Sequence, residues 1–152
     1  MSMALSTYAG QNIGAGKPQR IRTGFRDSLL AMIAVAGGMT LIMQLWGGSL
    51  VGLFVSEKEV ISLGGSALKI TSLFYVFLGI IYVSRGVLNG VGDAVFSFIN
   101  GIVEIAGRIG LPLLLLGFTA AGVWSIWITA GVTWMLAGLS CILRYLSWKR
   151  KQ

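Results

Sequence analysis

The chain has 152 residues, 55% of them hydrophobic and 11% charged, with a mean hydropathy of +0.82, no His and a single Cys. Soluble domains carry about 25% charged residues, so a water-soluble fold would lack the polar groups to cover its surface, and an integral membrane protein is the expected class. A net charge of +7 marks a nucleic-acid binder only where basic residues cluster on a polar face with stacking aromatics, while the lone Cys141 and the lack of His exclude a disulfide framework and the usual zinc and haem sites.

Residues 1–26 form the first segment. The first sixteen lack the basic start and long apolar core of a signal peptide. Gly10 to Pro18 imitates a phosphate-cradling loop, but Gln11 stands where the first glycine is required and Pro18 where Ser or Thr is required. The stretch reads instead as a helix end and a turn at the membrane surface, with Pro18 set for the first turn of the next helix, followed by a basic cytoplasmic linker. Residues 27–152 are the membrane part. Ser28 to Ser56 contains no charge, Val60 to Ser84 contains only Lys69, and Ala94 to Leu143 contains only Glu104 and Arg108. A spanning helix needs about 20 residues, so the last run divides where Gly117 to Gly122 relax the helical pattern. Four spans are expected, near 28–54, 60–85, 94–116 and 122–146. They read as helices because the runs are continuously apolar, where barrel strands would alternate over about ten residues.

The basic residues set the orientation. Nine of the twelve fall in the segment before span one, in the loop after span two (Arg85) and in the tail, which are alternate faces. The opposite face has Lys58, flanked by Glu57 and Glu59. Positive loops stay inside, so both chain ends are expected in the cytoplasm of a multi-pass cell-membrane protein, and the charge is a topology signal with no nucleic-acid partner. Trp124 and Trp127 at one end of span four, and Tyr145 and Trp148 at the other, occupy interfacial belt positions. Trp134 is mid-span and reads as packing, as does the small-residue pair Gly86 and Gly90.

Three charges remain inside spans: Lys69, Glu104 and Arg108. Each costs about 2.5–3.5 kcal/mol on insertion scales and needs a partner or a watery cavity. Counting helix rise places Lys69 roughly 13 Å, Arg108 roughly 12 Å and Glu104 roughly 18 Å below the outer face, so Glu104 is within reach of both cations, and Arg108 shares its helix face at i+4. Either Glu104 lines a polar pathway and exchanges its partner for a proton, Na⁺ or a cationic substrate, or the residues form a structural ion pair.

Four segments resemble the multidrug and toxic compound extrusion (MATE) transporters: "GQNIGAGKPQR" from Gly10 (with Gln11, Asn12 and Gly14), "ALKITS" from Ala67 followed by "GVLNGVGDA" from Gly86 (with Leu88, Gly90, Gly92 and Asp93), "NGIVEIAGRIGLP" from Asn100, and "GVWSIWIT" from Gly122. The resemblance implies a cation-coupled antiporter for amphipathic, often cationic, compounds, built from twelve helices in two lobes. The four spans would then be the last four of the second lobe and residues 1–9 the remnant of a preceding helix. The chain would be a C-terminal fragment, inactive alone, whose partners are the bilayer, small substrates and the missing half. Two positions depart from the pattern: Asn89 replaces an Arg, and Phe74 to Ser84 contains no carboxylate where one branch carries an ion-binding Asp. No cofactor is expected, and the coupling ion, Na⁺ or H⁺, stays open. The alternatives are a self-contained four-helix transporter acting as an oligomer and a non-transporting membrane partner subunit. An enzyme is not expected, since hydroxyl residues occur without a His base or metal cluster.

Overall fold

A computed structural model of the protein describes residues 1–118, 122 and 124–150, and every regular element among them is an α-helix. α1 (Ser2–Gly14) turns into α2 (Pro18–Gly52) through three residues. Gly16 takes a φ of +66° there, and the Lys17 N–H donates back to the Asn12 carbonyl at 2.8 Å, which closes the helix end. Pro18 is the first helical residue, where a missing N–H costs nothing. At 35 residues α2 is about 52 Å long, well beyond the ~30 Å hydrocarbon core. Arg20, Arg22 and Arg26 therefore ride on its first turns as helix, where a linker was expected.

Span 60–85 is not one helix. α3 (Lys58–Ser72) and α4 (Tyr75–Gly90) meet at a bend of 50°. Neither Pro nor Gly stands at the break. Hydroxyls of its own turn fold back on the backbone, Thr71 Oγ1 to the Ala67 carbonyl at 2.8 Å and Ser72 Oγ to that of Lys69 at 2.9 Å. α2 supplies the remaining donors: Thr40 Oγ1 to the Ser72 carbonyl at 2.7 Å and Gln44 Nε2 to the Lys69 carbonyl at 2.8 Å. A carbonyl left bare in lipid costs several kcal/mol, so donors from α2 are what make the break tolerable.

α5 (Ala94–Phe118) and α6 (Trp124–Arg150) correspond to the last two expected spans, with ends moved by a few residues. Much of the turn expected at 117–122 lies outside the described residues. By length and apolarity α2, α5 and α6 each suffice to cross a membrane, and the bent α3–α4 pair suffices for a fourth crossing if the two helices act as one span. At one end of the helices Leu5, Ala9, Ile21, Phe25, Val83, Val87 and Tyr145 form a buried core. Gly86 and Gly90 seat α1 there: a Cβ on Gly86 would lie 2.9 Å from the Ser2 carbonyl, and one on Gly90 would overlap Ser6 and Ala9. The pair does pack, as its spacing implied.

Candidate functional site: a charged cluster between three helices

On α5, residues 100, 104 and 108 follow one another at i+4 and share a face. That face is the polar one. Val95, Phe98, Ile102, Ile105 and Ile109 are exposed, whereas Asn100 is 5% exposed and the Glu104 side chain 13%. The helix is thus turned with its polar face inward and its apolar face outward, the arrangement a bilayer selects.

Glu104 accepts from two guanidinium groups. Arg85 Nη2 on α4 lies 2.9 Å from Oε2, and Arg108 Nη2 lies 3.0 Å from Oε1. Asn100 carries the network to the third helix, accepting from Arg85 Nε at 3.0 Å and donating to Ser140 Oγ of α6 at 2.6 Å. The Cys141 thiol donates to the same Asn100 oxygen at 3.3 Å. Arg108 also lies over the Trp134 ring, 5.2 Å from its centroid, a cation–π contact that partly replaces lost hydration. Beside the cluster a cavity of about 160 Å³ is lined by Asn100, Glu104, Gly107, Thr133 and Ala137. Two guanidinium groups and one carboxylate leave the cluster one positive charge in excess.

The pairing of Glu104 with Arg108 matches the i+4 spacing, but its other partner corrects the expectation. Lys69 is exposed at the end of α3 and makes no ion pair among the described residues, and the second cation is Arg85. Arg85 had been counted with the cytoplasmic loop. It sits five residues before the end of α4, about 8 Å from it, whereas Glu104 lies about 15 Å from the start of α5. The arginine therefore extends inward along its long side chain. Sequence reasoning passed over Asn100, Ser140 and Cys141 as well. For Asn100 a signal existed, since it stands one helical turn before Glu104 on the same face.

The remaining motif residues have structural places. Asn12 is buried, with Nδ2 donating to the Tyr8 carbonyl at 2.8 Å. Gly10 approaches Gly90, while Gln11 and Gly14 are exposed. Leu88 is fully buried, Gly92 has a φ of +91°, and the Asp93 N–H closes the end of α4 on the Leu88 carbonyl at 2.8 Å. The Asp93 carboxylate pairs with Arg144 at 2.6 Å, tying the α4–α5 turn to α6.

The fold is shared with known proteins. A solved structure described as the inward-facing conformation of a multidrug resistance MATE family transporter of the MOP superfamily superposes with a TM-score of 0.87 over 98% of this chain and 36% of its own, at 18% identity. The probable multidrug resistance protein NorM of Pseudomonas aeruginosa is 32% identical over 151 residues, covering 93% of this chain and 29% of its own length. The probable multidrug resistance protein YpnP of Bacillus subtilis is 26% identical over 148 residues, covering 96% and 33%. The chain thus spans about a third of the length of these curated relatives. MATE proteins are multi-pass transporters of the plasma membrane that act on small molecules, not enzymes. The family model MatE matches residues 1–116, and the chain belongs to that family.

Proposed function

We propose that this chain forms part of the wall of a cation-coupled antiporter that exports amphipathic, often cationic, compounds across the plasma membrane in exchange for Na⁺ or H⁺. Both chain ends face the cytoplasm in this reading, and a second helical body completes the substrate cavity. The chain alone does not transport.

The observation that carries the reading is the Arg85–Glu104–Arg108 triad, charge placed inside apolar helices beside a small cavity. Intramembrane ionisable residues mark ion and substrate pathways. A cation that takes the place of Arg85 at Glu104 makes binding an exchange of partners and loosens α4 from α5. Asn100 ties both to α6. Alternating access by rocking needs bodies that move as units, and this network holds three helices as one. Lys69, exposed beside the helix break, and Arg108, at the open side of the cluster, adjust the potential met by a passing cation.

Efflux of a cationic dye from pump-deficient cells tests the reading, with the chain expressed as it stands and with any in-phase upstream coding sequence. Efflux is expected only from the longer product, and Glu104→Gln should abolish its dependence on pH or Na⁺. Efflux by the 152-residue chain alone would overturn the wall reading. Unchanged transport and ion response per folded molecule in the Gln variant would overturn the coupling role.

A further inference from the structure

The end of the molecule opposite the helix break carries a groove of about 430 Å³ between the first turns of α2 and the last turns of α6. Its rim holds Arg22 and Arg26 from α2 and Lys149 from α6, and its floor is Phe25, Tyr145 and Leu146. The two aromatic rings stack with centroids 3.7 Å apart, so the floor is rigid and apolar. Arg22 donates through Nη2 to the Lys149 carbonyl at 3.1 Å and through Nη1 to Gln19 Oε1 at 3.5 Å, while its buried Nε has no hydrogen-bond partner among the described residues. The Asp27 carboxylate, 3.2 Å from Arg26 Nε, offsets one of the three positive charges, and the groove stays cationic.

Depth decides what such a groove meets. The charge-free stretch of α2 begins at Ser28, one residue beyond Asp27, so the cations stand where the hydrocarbon ends and lipid phosphates begin. We infer that this groove is a binding site for the headgroup of an anionic phospholipid. The phosphodiester oxygens take the guanidinium groups of Arg22 and Arg26 and the ammonium of Lys149, and the glycerol and first methylenes lie on Phe25, Tyr145 and Leu146. Clusters of basic side chains between helices at the membrane surface are suited to such headgroups. A free phosphate would leave the apolar floor uncovered, which is why the lipid is the occupant. The inference is independent of Glu104 and of transport.

The test reads lipid retention. The full chain is reconstituted in vesicles of equal phosphatidylglycerol and phosphatidylcholine, extracted in mild detergent, and its co-purifying lipid is quantified by mass spectrometry. Phosphatidylglycerol should be enriched over phosphatidylcholine. The double substitution Arg26→Gln with Lys149→Gln, at two exposed positions that leave Arg22 and the stacked rings in place, should reduce the enrichment by about tenfold. Lys58→Gln, at the far end of the molecule, should leave it intact. Equal retention of the two lipids, or enrichment that survives the double substitution, would overturn the site. Displacement of phosphatidylglycerol by millimolar inorganic phosphate would assign the groove to the free ion and overturn the lipid reading.

Discussion

Glu104 shows what a single buried carboxylate requires of its neighbours. With both oxygens taken by guanidinium groups, its removal leaves two cations without their counter-charge in a poorly solvated place. Breaking a fully buried pair costs about 3–5 kcal/mol. The Arg108 side chain is 44% exposed, so a lower cost of about 2–3 kcal/mol is expected for Glu104→Gln, read as a fall in the unfolding midpoint in detergent. Arg85→Met combined with Glu104→Gln should cost about 1 kcal/mol less than the two single losses added together, since their shared contact is lost only once and the Arg85 charge stranded by Glu104→Gln is absent from the double variant. Strict additivity would mean that Arg85 and Glu104 do not interact. The spacing of 104 and 108 made half of this cluster readable. Arg85 was not readable, because helix depth is one coordinate of three: the count placed Lys69 and Glu104 within reach, but Lys69 is exposed on its helix whereas Arg85 reaches in from beyond the end of the apolar run.

Among the elements, the apolar runs announced α2, α5 and α6 because the bilayer rewards uninterrupted hydrophobicity. The break between α3 and α4 left no such mark. Part of its support lies in another helix, in Thr40 and Gln44, whose donors reach the carbonyls of Ser72 and Lys69, and propensity within the 60–85 window carries no trace of them. Replacing both, Thr40→Val with Gln44→Leu, removes three interhelical hydrogen bonds, each worth about 0.6 kcal/mol in membranes. The expected result is a smaller bend than 50°, measured as an increased distance between spin labels on α3 and α4. An unchanged distance would assign the bend to the hydroxyls of Thr71 and Ser72 alone. The seat of α1 is testable in the same way. Gly90→Ala places a methyl against Ser6 and Ala9, and overpacking of this kind costs about 1–3 kcal/mol, so α1 should become the first protease-sensitive segment.

At the scale of the whole molecule, four crossings return the end of α6 to the side where α2 begins, and the Arg22 hydrogen bond to the Lys149 carbonyl joins those two ends directly. The basic residues predict which face is cytoplasmic, because loop charge is counted along the chain and needs no knowledge of packing. A membrane-impermeant thiol reagent checks the result. Cysteines at Arg20 and Lys149 should react only from the cytoplasmic side and one at Lys58 only from outside, with the buried Cys141 as a silent background. Reaction of Arg20→Cys and Lys149→Cys from opposite sides would require an odd number of crossings and rule out α3–α4 as a full span.

The seat that Gly86 and Gly90 provide for α1 also sets a timetable for biosynthesis. Ser2 and Ser6 touch residues about 80 positions later in the chain, and at a synthesis rate of about 5–20 residues per second the nascent α1 waits roughly 4–16 s for its partner. During that interval Leu5 and Ala9, fully or nearly buried in the finished protein, face lipid, translocon or chaperone, so α1 is a segment on which a membrane quality-control factor has seconds to act.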